Sequence, residues 1–264
     1  IDEAFNSPQM KELRKDMLEG KYNKVCNVCY EREEITNHSP RMMFNKNTLW
    51  NLPEVNEDFS VESQFQHVDV RFSNLCNFKC RMCHQKSSSE IERENIKNPE
   101  IQNFIKSNSF VIDDDDTSKT TENNIEDLKK IILNGVSSLR FTGGEPFLTK
   151  EFYDLMDFLI EKKLNEKIQI SVYTNCSVIN PIFIEKLLKF KDVSLILSLD
   201  AVGKVAEYQR HGTDWNIVRR NALTLASLPV DLYFNSSISA YSLLDFSSFS
   251  NFLLELYEKN KNTF

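Results

Sequence analysis

From about residue 66 onward, short apolar runs alternate with stretches whose apolar residues recur every three or four positions. The runs HVDVRF (67–72), SLRFT (138–142), IQISVYT (168–174), VSLILSLD (193–200) and VDLYFNSSIS (230–239) predict five strands. Several are β-branched and nearly continuously apolar, as parallel strands covered on both faces would be. Between them lie amphipathic helices. Residues 123–135 place Ile125, Leu128 and Ile132 on one stripe and finish at Gly135. Residues 149–164 repeat the stripe with Phe152, Leu155, Met156, Leu159 and Ile160. Asn180 and Pro181 read as the N-cap and first position of a helix over 180–190, and two more helices follow near 215–227 and 243–258. Strand–helix repetition of this kind predicts right-handed βαβ units and an α/β sheet or barrel. A sixth strand is expected beyond Phe264.

Two regions break the pattern. Residues 97–124 include VIDDDDTSKTTENN, which has little to bury and reads as a solvated excursion. Residues 1–66 precede the first strand: PQMKELRKDMLEGKY predicts a helix, and KVCNVCYERE follows it. No internal repeat is evident.

Composition narrows the function classes. The 264 residues are 41% hydrophobic and 27% charged, which fits one sizeable globular domain with an appendage. The first residue is Ile1, so the chain is expected to be part of a longer protein. No apolar run approaches the roughly 18 residues a spanning helix needs, and no signal peptide opens the chain, so membrane association is not expected and the cytoplasm is the expected location. A net charge of −7 argues against nucleic acid as the main partner. Six cysteines without a secretion signal suit metal or redox chemistry better than a disulfide scaffold.

Half of those cysteines fall in one loop. Cys76, Cys80 and Cys83, spaced C-x3-C-x2-C, follow directly on the first strand. Loops at strand C-terminal ends are where parallel α/β folds build their sites. Three thiolates can hold three irons of a 4Fe–4S cluster and leave the fourth open for a ligand. A zinc ion closed by His84 is the alternative. A second turn, FTGGEPFL (141–148), follows the second strand; paired glycines permit close approach, and Glu145 offers a carboxylate to a cationic amine.

Together, Cys76-x3-Cys80-x2-Cys83 and Gly143-Gly144-Glu145-Pro146 resemble the signature of the radical S-adenosylmethionine (SAM) superfamily. The segments DVRFSNLCNFKCRMC, TGGEPFL, YTNCS and SLDAVGKVAEYQRHGTDWNIVRRN more narrowly resemble members carrying twitch or SPASM cluster domains. The resemblance implies a partial (β/α)6, TIM-like barrel over residues 66–264, preceded by a twitch- or SPASM-like segment over 1–65. It implies that Cys76, Cys80 and Cys83 ligate the cluster, and that Gly143, Gly144 and Glu145 meet the methionine amino group in a turn stiffened by Pro146. Met82 would lie along the adenine.

At later strand ends, Thr174, Asn175, Ser198 and Asp200 offer hydroxyl, amide and carboxylate groups to a ribose or methionine moiety; each could equally be a satisfied strand-end or capping residue. Arg210 resembles the arginine that pairs with the SAM carboxylate. Cys26 and Cys29 resemble part of an auxiliary iron–sulfur site; a small zinc or dithiol site is the other reading, because two thiols do not complete a four-cysteine cluster. Cys176 reads as a small buried hydrophobe.

The implied activity is reductive cleavage of SAM to a 5′-deoxyadenosyl radical that abstracts hydrogen, with reduced flavodoxin or ferredoxin as electron source. The substrate would be a peptide or protein, or alternatively a small molecule such as a sugar. A non-catalytic metal-binding relative and an α/β nucleotide-binding domain with a zinc-stabilised loop are the competing classes. No catalytic acid, base or hydrogen donor is assignable.

Overall fold

The computed structural model describes residues 2–46, 53–62, 64–107 and 122–261. It divides into two compact units, Ile1–Gln66 and His67–Phe264.

In the first unit, Ser7 caps the helix Pro8–Leu18 and Pro8 occupies its first turn. Arg14 ties this helix to the residues around it: Nε donates to Phe59 O at 2.6 Å and Nη2 to Phe5 O at 2.8 Å. Asn6 bonds both backbone groups of Val61. A single turn, Lys24–Cys26, leads into the helix Asn27–Thr36. Cys26 stands at the cap of that helix and Cys29 within its first turn. Val61 is the sole buried apolar side chain among the described residues of this unit.

The second unit contains five parallel strands: β1 (His67–Val70), β2 (Ser138–Phe141), β3 (Gln169–Thr174), β4 (Val193–Ser198) and β5 (Asp231–Asn235). Their spatial order equals their chain order. A doubly wound sheet reverses direction at a switch point, whereas a sequential order is that of a (β/α) barrel opened along one side. The helices Glu122–Leu133, Lys150–Glu161, Pro181–Leu187 and Trp215–Ala226 link successive strands, and Phe246–Lys261 follows the last. Asn180 Oδ1 accepts from Ile182 N at 2.9 Å, making Asn180 the expected cap.

One face of the sheet is apolar. Val70, Phe141, Val172, Leu195 and Leu232 align across it in register. Phe152, Leu155, Met156 and Leu159 of the Lys150–Glu161 helix are fully enclosed, and Phe152 meets Phe141 edge to face at 5.0 Å.

The other face differs from the sequence reading. Only β4 is almost continuously buried; β2 and β3 alternate, and β5 is half-buried or exposed throughout. The row Asp69–Arg140–Ser171–Ser194–Asp231 crosses this face. The expectation of strands covered on both faces is therefore corrected: the polar side chains alternate onto the inner face, where Asp69 and Asp231 are exposed. The solvated excursion is also shortened, because Pro99–Ser107 is helical; residues 108–121, including the acidic run, lie outside the described residues. Helices at Ser89–Lys97 and Gly203–Gln209 add to those the pattern predicts.

Candidate functional site

The cysteine loop leaves β1 and is fastened by its own sequence. Asn74 Nδ2 donates to Gln85 O at 3.0 Å and to Glu92 Oε2 at 2.8 Å. Ser88 Oγ caps the helix Ser89–Lys97 and donates to Phe78 O at 2.6 Å. Ser89 Oγ bonds both the N–H and the carbonyl of Cys76 at 3.2 Å. Residues Lys79–Cys80 pair antiparallel with Arg210–His211, setting Cys80 opposite Arg210.

Burial pushes the Cys76 thiol above its usual range and the Cys80 thiol up to about 11. All six cysteines are free. Cys76, Cys80 and Cys83 line one cavity of about 300 Å³, in company with Met82, Gly143, Gly144, Thr174, Asn175, Ser198 and Arg210. Ten of the residues expected at the site thus share one wall system. Two nitrogens face two of the sulfurs: Asn175 Nδ2 lies 3.8 Å from Cys76 Sγ, and Arg210 Nη1 lies 3.8 Å from Cys80 Sγ.

This donor set fits a cluster better than zinc. His84 lines the same cavity. Yet among the described residues no three His, Cys, Asp or Glu side chains converge as one metal ion requires. Cysteines of a cluster each hold a different iron and need no such convergence.

The glycine turn is shaped by the protein itself. A Cβ on Gly144 would lie 2.1 Å from Leu75 O, and one on Gly143 2.7 Å from Arg71 Cγ. Gly143 also has φ +117°, a conformation that favours glycine. Missing side chains thus let the second turn press against the cysteine loop, with Glu145 N donating to Leu75 O at 2.8 Å.

Glu145 is enclosed behind this turn. Its Oε2 accepts from Asn175 N at 2.7 Å, and its Oε1 from Thr174 Oγ1 at 3.0 Å and Phe147 N at 3.4 Å. Burial pushes the carboxyl up to about 7, against the opposing pull of these bonds. Pro146, also buried, opens the turn Pro146–Leu148. Asp200 is likewise internal: its carboxylate grips Arg210 and accepts from Ser237 N at 2.8 Å. Neither carboxylate lines the cavity.

Six further lining residues escaped sequence reasoning: Arg71, Ser87, Thr142, Tyr173, Asn235 and Ser237. Arg71 lies one position past β1 and has no carboxylate partner among the described residues. The available signal was strand parity, since Arg71, Thr142, Tyr173 and Asn235 continue the polar inner rows. Cys176 is fully buried at φ +61°, with its carbonyl accepting from Asn221 Nδ2 at 2.9 Å. Cys26 and Cys29 are half-buried within the first unit. Among the described residues no helix is long and apolar enough to cross a membrane.

Comparison with known proteins bears on the family and the fold. The radical SAM cyclopropyl synthase TigE of Paramaledivibacter caminithermalis is 26% identical over 208 residues, covering 75% of this chain and 39% of that protein. Streptococcus suis SuiB, solved with S-adenosylmethionine, superposes with a TM-score of 0.52 at 18% identity, over 97% of this chain and 51% of that one. SuiB solved with its precursor peptide SuiA gives 0.52 at 15% identity, over 89% and 51%. These structural likenesses speak for the fold, and the chain spans between two fifths and one half of the relatives it matches. The Radical SAM superfamily model matches residues 70–232, which contain the cysteine loop, the glycine turn and the strand-end groups. The chain belongs to the radical SAM superfamily, whose members use a 4Fe–4S cluster and SAM.

Proposed function

We propose that this chain is the SAM-cleaving core of an enzyme that modifies a peptide or protein by hydrogen abstraction. The carrying observation is that Cys76, Cys80 and Cys83 share one cavity with the glycine turn and the ends of β3, β4 and β5. When bound, the reduced cluster and SAM supply a 5′-deoxyadenosyl radical.

In this reading the three thiolates hold three irons, and the cavity beside them receives SAM. Met82, Thr174, Asn175 and Ser198 contact the cofactor. Gly143 and Gly144 present backbone to it, while Glu145 and Pro146 act from behind: Glu145 ties Thr174 and Asn175 to the turn. Asp200 orients Arg210, leaving one guanidinium nitrogen directed into the site. The polar inner face admits substrate and keeps it over the cavity. SuiB has been solved with a precursor peptide, which favours a peptide over a small molecule. A reduced flavodoxin or ferredoxin is the electron source. Cys26 and Cys29 supply two ligands of an auxiliary iron–sulfur site.

Anaerobic reconstitution followed by low-temperature EPR tests the reading. The reduced protein should show a 4Fe–4S signal that shifts on adding SAM, and should release 5′-deoxyadenosine. Cys76→Ala, Cys80→Ala and Cys83→Ala should each abolish both. Zinc uptake without a cluster would overturn the proposal.

A further inference from the structure

Two side chains in the cavity are oriented by the protein so that an N–H group faces a sulfur. For Asn175 the orientation is forced. Its Oδ1 accepts from Ser177 N at 2.8 Å, so the amide nitrogen must point the other way. That direction leads to Cys76 Sγ at 3.8 Å, with Asn77 Oδ1 at 3.2 Å as the second acceptor. The backbone of Asn175 is fixed as well, because its N–H donates to Glu145 Oε2.

For Arg210 the logic is the same. Nε and Nη2 are committed to the two oxygens of Asp200, which leaves Nη1 to face Cys80 Sγ at 3.8 Å. The Asp200–Arg210 pair is neutral as a whole and largely buried. What it presents to Cys80 is therefore a fixed dipole in a poorly solvated setting. The Cys83 thiol has a different neighbour, donating to His84 O at 3.7 Å.

We propose that Asn175 and Arg210 set the reduction potential of the cluster held by Cys76, Cys80 and Cys83, by directing N–H groups at two of its three cysteine sulfurs. The inference rests on the cluster reading of this cavity. It gives these two residues a tuning role, separate from any contact with SAM. Uptake of one electron adds negative charge that the sulfurs share. A donor facing a sulfur stabilises the reduced form more than the oxidised form, and so raises the potential. Removing the donor lowers it.

The test is an EPR-monitored redox titration of the reconstituted holoprotein without SAM. Iron content and spin quantitation are measured on the same samples. Asn175→Ala should move the midpoint to more negative potential. Asn175→Asp, which keeps the acceptor for Ser177 N and adds a negative charge, should move it further. The paired change Asp200→Asn with Arg210→Met removes the donor at Cys80 without stranding a buried charge, and should also move it negative. Ser177→Ala touches Asn77 but no sulfur, and should leave it unchanged.

A purely structural role predicts a different result: fewer clusters per chain, with the remaining clusters at the wild-type midpoint. That result, or full occupancy with unmoved midpoints, would overturn the inference and leave the cluster reading standing. Failure of the wild-type chain to take up iron would overturn both, and iron content alone identifies that case.

Discussion

The guanidinium of Arg210 holds both carboxylate oxygens of Asp200, through Nε at 2.7 Å and Nη2 at 3.0 Å. Asp200 is 1% exposed and the Arg210 side chain 14%, so solvent does little to screen the pair. Removing one partner strands the other. Arg210→Met should cost about 3–5 kcal/mol in urea denaturation. Asp200→Asn combined with Arg210→Met should recover most of that loss, because no buried charge then lacks a partner.

Glu145 predicts a pH dependence. Burial raises its carboxyl from 4.5 to about 7 in the folded chain. The folded state therefore holds this proton more tightly than the unfolded state. The associated stability is fully present below pH 4.5 and is lost as pH rises toward 7. Within that window the folding constant should fall by up to about tenfold per pH unit from this group alone. Glu145→Gln keeps an acceptor for Asn175 N and a partner for Thr174. Urea midpoints measured across the window should flatten in this variant relative to wild type.

Gly144 should tolerate no side chain. The Cβ of Gly144→Ala would fall 2.1 Å from Leu75 O and 2.5 Å from Leu75 C, so backbone must move. A loss of about 3 kcal/mol is expected in chemical denaturation. Iron incorporation should fall with it, because the displaced segment carries Cys76. Alanine at Gly20, where nothing lies within 4 Å, should show only the smaller strain of its positive φ.

Arg71 separates stability from function. With no carboxylate partner among the described residues, Arg71→Met should change stability by less than about 0.5 kcal/mol. It lies on the cavity wall, within reach of a molecule bound there, so 5′-deoxyadenosine release should fall while the denaturation curve stays in place.

The strands and the two signature turns were legible because short-range pattern encodes them. All five apolar runs are strands, and the site lies at their C-terminal ends. What pattern did not encode is which partner a side chain meets. Glu145 and Asp200 read as ligand contacts because carboxylates near a site suggest one; in the fold they face inward, onto Asn175 N and Arg210. Gly143 and Gly144 read as a close approach to a ligand; the close approach in the fold is to the chain's own residues 71–75. Arg71 and Asn235 were overlooked because inner-face parity shows only once the register Asp69–Arg140–Ser171 is known. The helix Ser89–Lys97 was overlooked because its stripe is short and mostly polar.

Hydrogen bonds moor the cysteine loop to three different parts of the chain: Ser89 to Cys76, Arg81 N to Gln209 O, Glu145 N to Leu75 O. A loop tied at one point swings about it; a loop tied at three keeps its shape. The spacing of the three thiols is thus inherited from the helix Ser89–Lys97, the end of the helix Gly203–Gln209 and the glycine turn. A change in any one of these distant segments would be felt at the sulfurs.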